Sequence, residues 1–402
     1  MTANEKFFED DKKAAAVLKH GVLRRYLAKF SGATSSTSSG KRVAYIDGYA
    51  GEGEYVNPRT GVTSEGSPAI ALRIASDQAS VGITLSCTFI EKDAESFTAL
   101  ESFVASHAAG SGRALQGDAR EHLATVMQSC AGMPALVFID PFGRGPDVVV
   151  TVKTILGRDD ARPTELLLNL SIQAIRRIGA RIWEAQGATG REATLAGLDE
   201  WMGGDWWRDI YTSDEILSTP EADRAHAAAT AVAAAYVRKI ADAAGCAAYA
   251  VPIRRKPSDK ELFWLTLFCP RTLALWHFNE VVSLALKEWR GFLADVELAE
   301  LERTETETPG LFSNVSELQG IQQADERQID RDAINDIKAS VRKNLGPNSP
   351  LSTRSDLQAI FGPALGIGRE THLRTAWKEL AAEGYVLPAP TGKLQNVLIH
   401  RA

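Results

Sequence analysis

Cysteine is scarce, four residues in 402, and Cys87, Cys130, Cys246 and Cys269 stand far apart. No two form a Cys-x-x-Cys, which excludes zinc-ribbon and dithiol redox chemistry, and their apolar surroundings predict reduced, buried thiols. No apolar run reaches the ~20 residues of a membrane helix, and the first residues, Met1 to Lys6, lack an apolar signal core. A soluble, cytoplasmic protein is the expectation. Positive charge is short as well: 45 Lys and Arg face 51 Asp and Glu, a net charge of −6. The chain as a whole therefore exerts no attraction on nucleic acid, and such binding would need a local basic patch. What is plentiful is apolar surface, with 45% hydrophobic residues, enough to fill one large core and leave a second, smaller domain.

Val17, Leu18, Val22, Leu23, Tyr26, Leu27 and Phe30 recur at spacings of three and four, which predicts an amphipathic helix. Its other side carries Lys12, Lys13, Lys19, Arg24, Arg25 and Lys29. The Ser/Gly/Thr stretch 31–40 reads as the stop of that helix and a flexible link. Strands are expected at 42–46, 83–90, 113–116, 135–139 and 165–170, separated by helix-like segments, an alternation that predicts a doubly wound, Rossmann-like α/β sheet. Ser67-Pro68 reads as a helix start with Ser67 as its cap. A helical insertion follows over about 172–240, with Trp183, Trp201, Trp206 and Trp207 packed inside it. Two apolar runs, 247–255 and 261–269, then form a hairpin.

This gives a first domain over 1–299. An acidic, polar stretch at 300–333 reads as a linker. Residues 334–402 read as a small winged-helix-like domain: helices at 334–345, 352–360 and 370–383, then a two-stranded wing from 384–387 and 396–399.

The most informative segment is Val43 to Gly53, a short apolar strand ending in an acid and a glycine turn. Asp47, Gly48, Tyr49, Ala50, Gly51 and Gly53 build a loop whose backbone can approach a flat polar cofactor. The turn lacks the third glycine of the dinucleotide fingerprint, which points away from NAD and toward S-adenosylmethionine. Glu91 ends the next strand, where a carboxylate can accept both ribose hydroxyls of such a cofactor. Asp118 ends the third strand and has two readings, a partner for the adenine amine or the N-cap of the following helix.

The fourth strand ends in Asp140, Pro141, Phe142 and Gly143. A nucleobase exocyclic amine is a poor nucleophile because its lone pair is delocalised into the ring. The Asp140 carboxylate and a neighbouring backbone carbonyl, fixed in direction by Pro141, can accept the amine hydrogens and turn the lone pair toward a methyl donor. Phe142 would stack on the base. The competing reading is a turn in which Asp140 caps the next segment and Phe142 packs inward. Arg144, and Arg254 to Lys256 at the hairpin, are phosphate contacts or solvated loop charges.

Two resemblances rest on these residues. Ala16 to His20 with Val22-Leu23, then Tyr45 to Tyr55, resembles the opening of the J-type ribosomal RNA adenine methyltransferases. The ordered set of Lys19-His20, Tyr45 to Gly53, Gly66-Ser67-Pro68 and Ile139 to Gly143 is similar to the three-Cys-motif partner proteins. These likenesses cover about the first two-fifths of the chain. They imply a class I S-adenosylmethionine-type methyltransferase fold, which usually ends in a hairpin closing a parallel sheet, and a neighbouring partner protein with a three-cysteine motif. They also imply that Lys19 and His20 lie over the cofactor and that Asp140 is the catalytic-site carboxylate. The ribosomal RNA enzymes resemble Asp-Pro-Pro-Tyr where this chain has Asp140-Pro-Phe-Gly143, a spelling seen in guanine-amine methyltransferases of transfer RNA. The function expected is methyl transfer to a nucleobase amine in RNA or DNA, with a catalytically silent accessory protein as the alternative.

Overall fold

The computed structural model describes residues 10–56, 63–141, 145, 147, 148, 150–158, 162–254, 259–307 and 315–402. They form two compact units, Met1–Pro270 and Arg271–Ala402.

In the first unit the chain runs α1 (Asp10–Thr34), β1 (Arg42–Asp47), β2 (Glu54–Val56), β3 (Thr63–Glu65), α2 (Ser67–Ser80), β4 (Thr84–Glu91), α3 (Ala94–His107), β5 (Gly112–Gln116), α4 (Ala119–Ser129), β6 (Ala135–Ile139) and β7 (Thr164–Ser171). Helices α5 (Ile172–Gly179), α6 (Arg191–Met202), α7 (Trp207–Tyr211), α8 (Asp214–Leu217) and α9 (Glu221–Ala244) form the insertion, before β8 (Ala247–Ile253) and β9 (Phe263–Cys269). Seven strands make one sheet in the order β5-β4-β1-β6-β7-β9-β8. The first five are parallel, and β9 runs antiparallel to both β7 and β8. The architecture is Rossmann-like α/β.

Both faces of the sheet are covered, as parallel strands require. Ala44 and Ile46 of β1 share a core with Leu123 of α4, Ile175 of α5, Leu198 and Trp201 of α6, Trp207 of α7 and Val232 of α9. Alternation along the strand sends Val43 and Tyr45 to the other face, where α1 and α2 pack against β1. There the Tyr26 hydroxyl of α1 donates to Glu165 Oε2 of β7 at 2.6 Å, which pairs a carboxylate inside a fully buried strand.

Several local expectations differ. The helix of α1 does not stop at Ser31. Ser31 and Thr34 hydroxyls donate to the Leu27 and Phe30 carbonyls, both at 2.8 Å, and so stay within it. Two 3-10 turns, Ser35–Thr37 and Ser39–Lys41, then lead into β1. Ser67 is not the cap of α2: Gly66 holds that position, and the Ser67 hydroxyl is bonded to Asp47 instead. The short antiparallel ribbon β2–β3 has no counterpart in the expectation.

The second unit holds α10 (Thr272–Glu307), α11 (Val315–Asn344), β10 (Leu351–Ser352), α12 (Leu357–Phe361), α13 (Glu370–Ala382) and β11 (Leu398–Ile399). Its core gathers Trp276, Ile337, Val341, Phe361, Leu373, Trp377 and Leu380. The acidic stretch 300–333 is helical over 300–307 and 315–333. Strand β11 pairs with β10 and not with 384–387, of which only Val386 bridges Arg401. Ser352, expected to begin a helix, lies in β10, and Asp356 is the N-cap of α12.

Candidate functional site

Parallel register brings the chemistry to one edge of the sheet. Asp47 lies opposite both Phe89 and Phe138, Glu91 opposite Gln116, and Ile139, just before Asp140, opposite Leu168, just before Asn169. The carboxyl ends of β1, β4, β6 and β7 thus carry Asp47, Glu91, Asp140 and Asn169 side by side.

The glycine turn is stitched to its neighbours. Gly48 N–H donates to the Phe138 carbonyl at 3.0 Å, Ala50 N–H to the Ile90 carbonyl at 3.0 Å, and Gly51 N–H to Glu91 Oε2 at 2.8 Å. Glu91 Oε1 accepts from Asp93 N–H at 2.8 Å, so this carboxylate ties turn to strand and keeps lone pairs for further donors. Gly51 at φ +65 and Gly53 at φ +92 occupy the left-handed region. A Cβ on Gly51 would lie 2.1 Å from the Tyr55 hydroxyl, and one on Gly53 2.7 Å from the Phe103 ring. Packing within the chain therefore already demands glycine at these two positions.

Asp47 is fully buried and accepts from Tyr49 N–H and the Tyr45 hydroxyl, both at 3.2 Å, and from Ser67. Burial nevertheless pushes its carboxyl up to about 7; these three bonds oppose the rise and the nearby Asp140 charge adds to it. His20 moves the other way. Loss of solvent, with Lys19 adjacent, brings it down to about 4, so it is neutral at neutral pH. Tyr49 is half-buried beside the turn and Ala50 is buried.

Asp140 is the centre of the cluster. Lys19 Nζ of α1 donates to its Oδ2 at 2.7 Å, and Asn169 Nδ2 of β7 donates to its Oδ1 at 2.6 Å. Both members of the ion pair are mostly buried, with side chains 15% and 19% exposed. The Lys19 ammonium also stands 5.4 Å from the centroid of the Phe263 ring, a cation–π distance. Pro141 follows, buried; Phe142, Gly143 and Arg144 lie outside the described residues.

Asn169 belongs to no motif. Its signal in the sequence is a single amide in Thr164–Ser171, a strand whose eight residues are all buried. Its Oδ1 is enclosed with no hydrogen-bond partner, an arrangement that costs about 1–3 kcal/mol in a core that could hold leucine instead.

Asp118 acts here as a cap: its carboxylate accepts from Arg120 N–H at 3.0 Å and from Lys92 Nζ at 3.0 Å. Burial lifts this carboxyl, and the two donors outweigh that and hold it below the usual range. At the hairpin, Arg254 pairs with Glu261, which also takes His226 at 2.7 Å; Arg255 and Lys256 lie outside the described residues. Among the described residues no three His, Cys, Asp or Glu side chains cluster as a metal site would need, and no helix is long and apolar enough to cross a membrane.

The edge of the sheet thus offers acceptors at successive strand ends, suited to a polar ligand with hydroxyl and amine donors, and a shielded carboxylate whose ammonium partner stands over an aromatic ring. No family model matches the chain, and no curated protein matches it.

Proposed function

We propose that this protein is an S-adenosylmethionine-dependent methyltransferase of the class I type that acts on an exocyclic amine of a nucleobase in RNA or DNA. The observation that carries this reading is Asp140 at the carboxyl end of β6, gripped by Lys19 and Asn169 next to the glycine turn and Glu91. A parallel sheet closed by the β8–β9 hairpin supports it, because that ending is what the methyltransferase resemblance implies.

The cofactor's partners in this reading are the turn from Asp47 to Gly53, Glu91 for the ribose hydroxyls and Asp118 for the adenine amine. The donor chemistry fits: Glu91 and Asp118 are acceptor-only groups with lone pairs left beyond their present bonds, and the unmet Asn169 oxygen lies beside the acceptor carboxylate. Bound there, S-adenosylmethionine supplies an electrophilic methyl group. The chain's own residues do the rest. Asp140 accepts a hydrogen of the amine, favouring a tetrahedral nitrogen with its lone pair free, and the buried Pro141 fixes the backbone beside it. Neutral His20 adds no second positive charge beside that carboxylate, which Lys19 already pairs. The second unit, winged-helix-like in this reading, presents Lys378 as the exposed cation of α13, since Arg374 is tied to Glu370.

Calorimetric titration with S-adenosylmethionine tests the foundation; no heat at millimolar cofactor removes it. Asp140→Ala is expected to keep cofactor affinity while transfer of a labelled methyl group to RNA or DNA falls by about 10²–10⁴-fold. Undiminished transfer would take Asp140 out of the mechanism.

One observation favours a second reading, an accessory protein that binds a three-cysteine-motif partner or nucleic acid without catalysis: both oxygens of Asp140 are already engaged by the chain itself. Co-purification with the neighbouring partner, together with no methyl transfer to bulk RNA and DNA, would establish it over the first.

A further inference from the structure

Asn169 is 1% exposed and spends its amide N–H on Asp140 Oδ1 across 2.6 Å, yet leaves its carbonyl oxygen enclosed and unpaired. The amide cannot be turned to cure this, since its oxygen would then face a carboxylate oxygen. Nothing in the sheet needs a polar group here: the register partner of Asn169 in β9 is Leu265, and the preceding residues of β7, Leu166, Leu167 and Leu168, are apolar. Opposite stands a cation that the chain provides from 121 residues earlier, Lys19, with its ammonium on Asp140 Oδ2 at 2.7 Å and over the Phe263 ring. A buried carboxylate without a partner is costly, so the folded chain fills the place of a missing donor with one of its own. Lys19, unbranched and attached to a different element, is the member of the trio able to withdraw.

We infer that Asp140 and Asn169 together receive a ligand –NH₂ group, the carboxylate taking one hydrogen and the Asn169 carbonyl oxygen the other, and that the Lys19 ammonium stands in for this group until the ligand displaces it. The inference rests on the methyltransferase reading and narrows its substrate class: the acceptor carries two N–H hydrogens, as an exocyclic base amine does. A hydroxyl or a ring nitrogen with one hydrogen would leave the Asn169 oxygen unmet, and a site built for two hydrogens rejects a group with one.

The probe is sinefungin, which carries an aliphatic amine where S-adenosylmethionine carries its sulfonium methyl, compared with S-adenosylhomocysteine, which carries nothing there. Calorimetry on the full chain reads the ratio of the two affinities. The wild type should prefer sinefungin by about tenfold or more, Asn169→Leu should lower that ratio several-fold while Asp140 still holds the amine, and Lys19→Met, which removes the internal competitor, should widen it. If both compounds bind and Asn169→Leu leaves the ratio as in the wild type, the receptor is wrong while the cofactor reading stands. If neither compound binds the wild type, the methyltransferase reading fails and takes the receptor with it. Should Asn169→Leu not melt cooperatively, Lys19→Met decides: a wider preference supports the receptor, an equal or narrower one overturns it.

Discussion

Asp47 and His20 are pushed in opposite directions by the same loss of solvent, to about 7 and about 4. The signs of their effects on stability follow. From the ordinary carboxylate range up to pH 7, folded Asp47 keeps a proton that the unfolded chain gives up, so its contribution is lost as pH rises. Between about pH 4 and 6.5, folded His20 lacks a proton that the unfolded chain binds, so its contribution is lost as pH falls. Each slope is up to about 1.4 kcal/mol per pH unit, and over the shared window they cancel. Asp47→Asn should therefore gain stability relative to wild type as pH goes from 4 to 6.5, and His20→Asn should lose it. Urea melts at several pH values read this, and curves parallel to wild type for both variants would refute it. The acid at the end of β1 was plain in the sequence, but its shifted titration was not, because that arises from the loss of water around it and the nearby Asp140 charge, against the opposing bonds from Ser67, Tyr49 and Tyr45.

The turn after β1 is the element whose sequence pattern was clearest and whose cause the structure revises. Three glycines within Gly48 to Gly53 suggested backbone laid bare for a ligand, whereas Gly51 and Gly53 are also required by Tyr55 and Phe103 of the same chain. Gly51→Ala should cost about 1–3 kcal/mol, part from the left-handed backbone and part from the Tyr55 hydroxyl. Tyr55→Phe removes the oxygen, so the double variant should be less destabilised than the sum of the two singles; strict additivity in denaturant unfolding would disprove the contact. Strands and long helices were legible because their apolar periods are local. The end of α1 was not, since Ser31 and Thr34 turn their hydroxyls back onto the helix. Nor was the cap of α2, whose serine is claimed by Asp47, or the partner of β11, which is β10 from the far side of two helices.

At the scale of the whole molecule the chain forms two units, and the core of Arg271–Ala402 is closed by residues between Trp276 and Ile399 alone. A fragment of residues 271–402 should therefore unfold cooperatively on its own, as differential scanning calorimetry would show; a featureless trace would refute it. The alternation of strands and helices, the acid-glycine turn and Asp140 with Pro141 were fixed by the sequence itself, because each depends on neighbours within a few residues and on the restricted backbone of glycine and proline. Only the tertiary structure decided that Lys19 and Asn169, 121 and 29 residues from Asp140, are the groups that hold it. Parallel register aligns the ends of β6 and β7, and packing brings α1 over them. No local pattern encodes a contact made by burying two distant polar groups against each other.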